Sequence, residues 1–129
     1  MGFMFEKLEV YQRGVAFANK AITISDNAPK GNYFLADQLK RAALSISLNI
    51  AEGNGRFHKR ERRNFFVIAR GSCFECVPIL QLSRDKQLIT QQCYDELLYE
   101  LEIIGKMLSA YIRNTVNNGD QLSIRALDH

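Results

Sequence analysis

The chain has 129 residues, 47% of them hydrophobic and 24% charged, with a formal charge of +3. That balance fits one globular domain, excludes a disordered polymer, and is long enough to bury a core without disulfide or metal staples. Three cysteines, Cys73, Cys76 and Cys93, make an odd count behind an N-terminus with no apolar signal-peptide core, which points to the cytoplasm and away from a disulfide framework. No run of about 18 apolar residues stands out, so no membrane span is expected.

Four segments show helical periodicity and none shows strand alternation. The first runs from about Phe5 to Ser25, where Leu8, Tyr11, Val15, Ala18 and Ile22 step by three and four as one apolar stripe. Gly14 inside it costs about 1 kcal/mol against alanine and suits a close helix contact. Asp26, Asn27, Pro29 and Gly31 then break the pattern. The second helix runs from about Tyr33 to Ala51, with Asn32 as its expected N-cap. Leu35, Leu39, Ala42 and Ile46 form its stripe, flanked by Ala43 and Ile50, with polar Asn49 on the same face. Gly53 and Gly55 are expected to stop it or turn it.

The third helix begins near Lys59 and ends near Asp85. Phe65, Ala69, Ser72, Cys76 and Ile79 share a face, with Phe66, Cys73 and Leu80 beside it. Pro78 lies deep in this run and predicts a kink, because it removes a donor and crowds the Phe74 carbonyl. The fourth runs from about Gln91 to Asn114 behind a Thr90 cap. Tyr94, Leu97, Leu101, Ile104, Leu108 and Tyr111 step through it without a fault. Short connections between such rods predict an all-α, antiparallel up-down four-helix bundle. The expected division is a bundle domain over residues 1–118 and a loose tail over 119–129.

The charge is concentrated in one segment. Arg56, Lys59, Arg60, Arg62, Arg63 and Arg70 face a single acid, Glu61, giving a local +5 and leaving −2 for the rest of the chain. Arg56, Lys59, Arg60 and Arg63 can share one face of the third helix or the turn before it. Such a patch suits phosphate contacts, with Phe57 and His58 at hand for stacking. The alternative is a solvated face, although cations at a helix N-terminus oppose its dipole.

Arg41, Ser45, Asn49, Glu52, Ser72 and Glu75 lie among small apolar residues. They read as a polar network fixing register between helices or subunits rather than as a catalytic carboxylate pair, since no histidine or other base accompanies them. Cys73-Phe74-Glu75-Cys76 spells C-x-x-C, but the βαβ setting of a redox motif is absent and a zinc site needs about four ligands. These cysteines are read as small apolar core residues. Neither histidine follows a glutamate by three, which argues against a di-iron bundle. No phosphate-binding loop or nucleophile elbow is present. No cofactor and no enzymatic activity are expected.

The stretch from Gln38 to Gly53, ending Asn49-Ile50-Ala51-Glu52-Gly53, runs on into Gly55-Arg56-Phe57, the basic turn, Phe65-Phe66, Ile68-Ala69-Arg70-Gly71-Ser72 and Glu75. With Phe5-Glu6-Lys7-Leu8-Glu9-Val10-Tyr11-Gln12, this order resembles the 23S rRNA intervening-sequence protein family over roughly residues 4–115. That family is similar in turn to the accessory variability protein of diversity-generating retroelements. The resemblance implies a bundle that assembles as a cyclic homopentamer without enzymatic activity. It further implies RNA or DNA as a partner, or a protein partner such as a reverse transcriptase. Tyr11, Tyr33 and Tyr111 are candidates for subunit contacts. Two departures from the family pattern are His58, where relatives carry a capping serine, and Pro78.

Overall fold

The computed structural model describes residues 4–115, and the expected tail over 119–129 lies outside them. A 3-10 turn, Met4–Lys7, precedes α1 (Glu9–Asp26); α2 (Tyr33–Asn54), α3 (Lys59–Asp85) and α4 (Gln91–Asn114) follow. No strand occurs among the described residues.

The chain ends its first turn at Leu8, whose φ of −73° and ψ of 127° are extended, so the predicted single helix from Phe5 is two elements. Gln12 braces the junction by donating its side-chain amide to the Glu6 carbonyl at 3.1 Å. The buried face of α1 is also one position earlier than predicted. Val10, Gly14, Phe17 and Ala21 face the core, while Leu8, Tyr11, Val15 and Ile22 are half-buried on its flank and only Ala18 is common to both. The side of α1 that carries Gly14 rests on α2, where a Cβ would meet Ile46 and Ser47 at 3.5 Å, an ordinary contact distance.

Asn32 occupies the N-cap position of α2 but its side chain makes no capping bond. Its ψ of 15° lies outside the extended region from which a cap side chain reaches back to the first free amides. Thr90 does cap α4, accepting from the Cys93 amide at 3.0 Å. His58 starts α3 from an extended conformation without a side-chain cap. The helix then runs unbroken through Pro78 for 27 residues. Pro78 and Phe74 are both exposed, so water can serve the carbonyl that loses its helical donor. The end of α3 is a Schellman turn. Leu88 donates to the Ser83 carbonyl at 2.8 Å and Gln87 to Arg84 at 2.9 Å, with Gln87 at a φ of 63°.

Each helix packs on its sequence neighbours, and α4 returns to α1. The register is antiparallel throughout. Gly53 near the end of α2 meets Phe65 near the start of α3, and Phe66 meets Tyr111 near the end of α4. Arg13 on α1 pairs with Glu100 on α4 at 3.5 Å. The core between them is closed by Phe17, Leu39, Ile46, Leu80, Ile104 and Leu108. Tyr111 is half-buried, and Ile112 takes the buried position that the sequence assigns to it.

One helix departs from what a bundle of this size needs. α3 is long and apolar enough, by length and composition, to cross a membrane, which corrects the expectation that no segment reaches that threshold. Its most apolar window has a mean hydropathy of 1.4, yet only 39% of it is buried. Val67, Ile68, Phe74 and Leu82 therefore stand exposed on its outer side.

Candidate nucleic-acid interface

The four-residue connection between α2 and α3, which carries Arg56, leads into the basic first turn of α3 at one end of the bundle. Arg56 is fixed there by two contacts. It bonds Glu52 at 2.9 Å, and its guanidinium carbon lies 4.8 Å from the Phe65 ring centroid. Phe57 is 91% exposed, the most exposed of the large hydrophobic residues, and its ring meets His58 edge-on at 5.4 Å. An apolar ring held in water beside cations is a surface on which a base can stack.

Lys59 and Arg60 are exposed on the first turn of α3, while Arg62 and Arg63 are half-buried. The Arg62 Nε is buried without a hydrogen-bond partner among the described residues. Its backbone carbonyl lies against α2, where a Cβ on Gly53 would come within 3.1 Å of it. Arg62 thus belongs to the helix contact, and Lys59 and Arg60 belong to the open face. Arg70 stands two turns further along, with its guanidinium carbon 5.0 Å from the Phe74 ring centroid. The structure therefore divides the six predicted cations between the turn and the middle of α3.

Within one chain, hydrogen bonds join three of the six residues of the predicted polar network. Ser72 donates its hydroxyl to Ser45 Oγ at 2.7 Å, with the Ile68 carbonyl as an alternative acceptor at 3.2 Å. Asn49 donates to the Ser45 carbonyl at 2.7 Å and to Ser45 Oγ at 3.0 Å. The Ser72–Ser45 bond ties α2 to α3, and the Asn49 bonds brace Ser45 from within α2. Arg41 is not among them; it bonds Asp37 one turn back at 2.8 Å on an exposed face. Glu52 is engaged by Arg56, and Glu75 is exposed. The spacing of these residues on α2 is right for one face, but that face is exposed at Arg41 and Glu52, on either side of Ser45 and Asn49.

Gly53 has a different role from the expected helix stop. It is buried inside α2, and a Cβ there would lie 2.9 Å from both Phe65 Cβ and Phe66 Cε1. The glycine is what lets α3 come close enough for the serine contact. Cys73 and Cys76 are free and buried. Burial pushes the Cys73 thiol up to about 12 from 9.0, and burial likewise raises that of Cys76, with the neighbouring Cys73 and Glu75 adding to it. Neutral thiols of this kind are poor nucleophiles and poor metal ligands. Among the described residues no three His, Cys, Asp or Glu side chains are placed to share a metal ion.

Sequence reasoning missed Lys106 and Arg113 on α4. Packing of Phe66 on Tyr111 brings α4 alongside α3 so that both residues line one groove with Arg70 and Phe74. Their signal was available in the antiparallel order, which sets residues near 70 level with residues near 106.

A family model described as 23S rRNA-intervening sequence protein matches residues 6–110. No curated protein matches the chain. Among solved structures, the fold is similar to the crystal structure of a protein of unknown function from the S23 ribosomal protein family of Bacteroides thetaiotaomicron VPI-5482. The two share 22% identity and a TM-score of 0.76 over 81% of this chain and 98% of that one.

Proposed function

The chain belongs to the 23S rRNA-intervening sequence protein family, and from that premise we propose that it is an oligomeric binding module that holds nucleic acid, RNA in the first place, at the α2–α3 end. The observation that carries this reading is the pairing of exposed cations with an exposed aromatic at one end of the bundle: Lys59 and Arg60 beside Phe57. Cations bind phosphate regardless of sequence, and the ring adds stacking that a plain solvated face has no use for. The reading assigns no catalytic role to any residue.

Assembly is the second half of the proposal. Ile68 and Leu82, left exposed on α3, are the kind of surface that copies of a chain bury against each other. The family resemblance makes a closed ring of five the expected form, and a ring would multiply the basic end. Light scattering after gel filtration should return the mass of five chains; a monomer at micromolar concentration would refute assembly. For the nucleic-acid half, RNA and DNA titrations at several salt concentrations should give affinities that fall steeply with salt. K59E/R60E should flatten that slope. An absence of binding at about 50 mM salt sinks the reading.

A scaffold holding a protein partner is the second reading. Tyr33 and Phe34 favour it, being 60% and 74% exposed at the far end of α2 from the basic turn. A scaffold keeps its partner after K59E/R60E.

A further inference from the structure

The α3–α4 side of the bundle carries a groove that the basic turn does not explain. Arg70 and Phe74 line it from α3, and Leu101, Gly105, Lys106 and Arg113 from α4. Its volume is about 530 Å³, within the range of pockets that hold a small molecule. Gly105 lies on the α4 side of this groove. A Cβ on Gly105 would meet nothing within 4 Å, so the space above α4 there is empty.

The charge in this groove is one-sided. Arg70, Lys106 and Arg113 bring three cations, and Glu102 is the carboxylate among its lining residues. On α4, Glu102, Lys106, Ser109 and Arg113 step by four, three and four and share one face. On α3, Arg63, Val67, Arg70 and Phe74 do the same. This second stripe begins in the basic turn and ends in the groove about 16 Å away, at 1.5 Å of rise per residue.

We propose that the groove is a single-strand nucleotide subsite, in which one unstacked base lies on the Arg70–Phe74 platform and its phosphates meet Lys106 and Arg113. This rests on the nucleic-acid reading above and names the form of the ligand. Phe74 is 57% exposed and has the Arg70 guanidinium stacked near it, an arrangement to which a base can add a further layer. Neighbouring helix axes lie about 8–10 Å apart, so the trough between two helices admits a flat base but not a duplex. Bases reach such a platform only when splayed out of a helix. A strand bound at the turn can follow the Arg63–Phe74 stripe into the groove, within the site sizes of about 4–16 nucleotides common for single-strand binders.

The test uses the full chain, a single-stranded RNA of about 12 nucleotides and a duplex of the same length. Wild type should bind the single strand more tightly. Phe74→Ala removes the platform. Gly105→Met fills the trough without touching a charge, and the free space around Gly105 lets it fold. Each should weaken single-strand binding about tenfold, the scale of one lost base stack, while duplex binding and assembly mass stay unchanged. Single-strand affinities equal to wild type in both folded variants overturn the subsite and leave the basic turn as the whole interface. A changed assembly mass in Gly105→Met makes the groove a contact between copies and overturns it too. Wild type that binds neither RNA overturns the subsite together with the proposed function.

Discussion

The α2–α3 seam and the α3–α4 groove flank the same helix, and each has a glycine. At the seam, a Cβ on Gly53 would be driven to 2.9 Å from two phenylalanines; at the groove, a Cβ on Gly105 would meet nothing within 4 Å. One glycine is required by a close contact and the other borders open space. The seam is accordingly bonded side chain to side chain through Ser45 and Ser72, while the groove is lined with charge and an exposed ring. Helical glycines cost about 1 kcal/mol each relative to alanine. At the seam that cost is returned as packing. At the groove nothing in the fold recovers it.

The largest way to break this contrast is Gly53→Ala. The neighbours are a Cβ, an aromatic edge and the Arg62 carbonyl, none of which is the far end of a flexible side chain. Overpacking of that kind costs about 2–3 kcal/mol, readable as a lowered urea midpoint. Stability equal to wild type would mean that the seam can open as cheaply as the groove.

The closed side of α3 also has a pH signature. The folded state holds Cys73 and Cys76 protonated, while in the unfolded chain they ionise near 9.0. A raised folded-state pKa contributes stability that is full below the unfolded value and lost as the pH climbs past it. Each thiol should therefore cost about 1.4 kcal/mol of stability per pH unit above 9. Cys76→Ala should remove one thiol's share of the loss between pH 8 and pH 10 in denaturation experiments. An unchanged pH slope would show that Cys76 is not sealed in.

A smaller effect tests the serine pair. Ser72→Ala leaves Ser45 without its cross-helix donor and should cost about 1 kcal/mol. With Ser45→Ala added, both hydroxyls are gone and the double variant should lose less than the two singles together. Strict additivity in that cycle would show that the two side chains do not act on each other.

The four helices were legible because stripes such as Tyr94-Leu97-Leu101-Ile104-Leu108 are set by one helix's own period. What lies between helices was less legible. The α1 stripe reads one position late in the sequence because a hydrophobicity pattern does not count Gly14, which lies on the side that meets α2. Of the six residues read as a polar network, Ser45, Asn49 and Ser72 bond to one another within one chain, because shared spacing on α2 does not say where α3 covers that face. The basic turn is contiguous in sequence, so its charge is legible there directly. Lys106 and Arg113 join Arg70 only through tertiary packing, so composition of a single segment could not find them.

The smallest effect sharpens the comparison most, because it separates two glycines that look alike in the sequence. Gly14→Ala and Gly105→Ala should each stabilise the chain, by up to about 1 kcal/mol from helix propensity alone. At Gly14 the new methyl arrives at 3.5 Å from Ile46 and Ser47, ordinary contact distance, so it gains packing as well. At Gly105 it projects into open space and gains propensity only. Gly14→Ala should therefore be the more stable of the two by a few tenths of a kcal/mol in matched denaturant titrations. The reverse order would mean that α1 sits closer to α2 than 3.5 Å allows, or that something within the chain already fills the groove above Gly105. Binding separates the two again. Gly14→Ala lies far from the groove and should leave RNA affinity untouched, whereas Gly105→Ala narrows the trough by one methyl and should weaken single-strand binding less than Gly105→Met does.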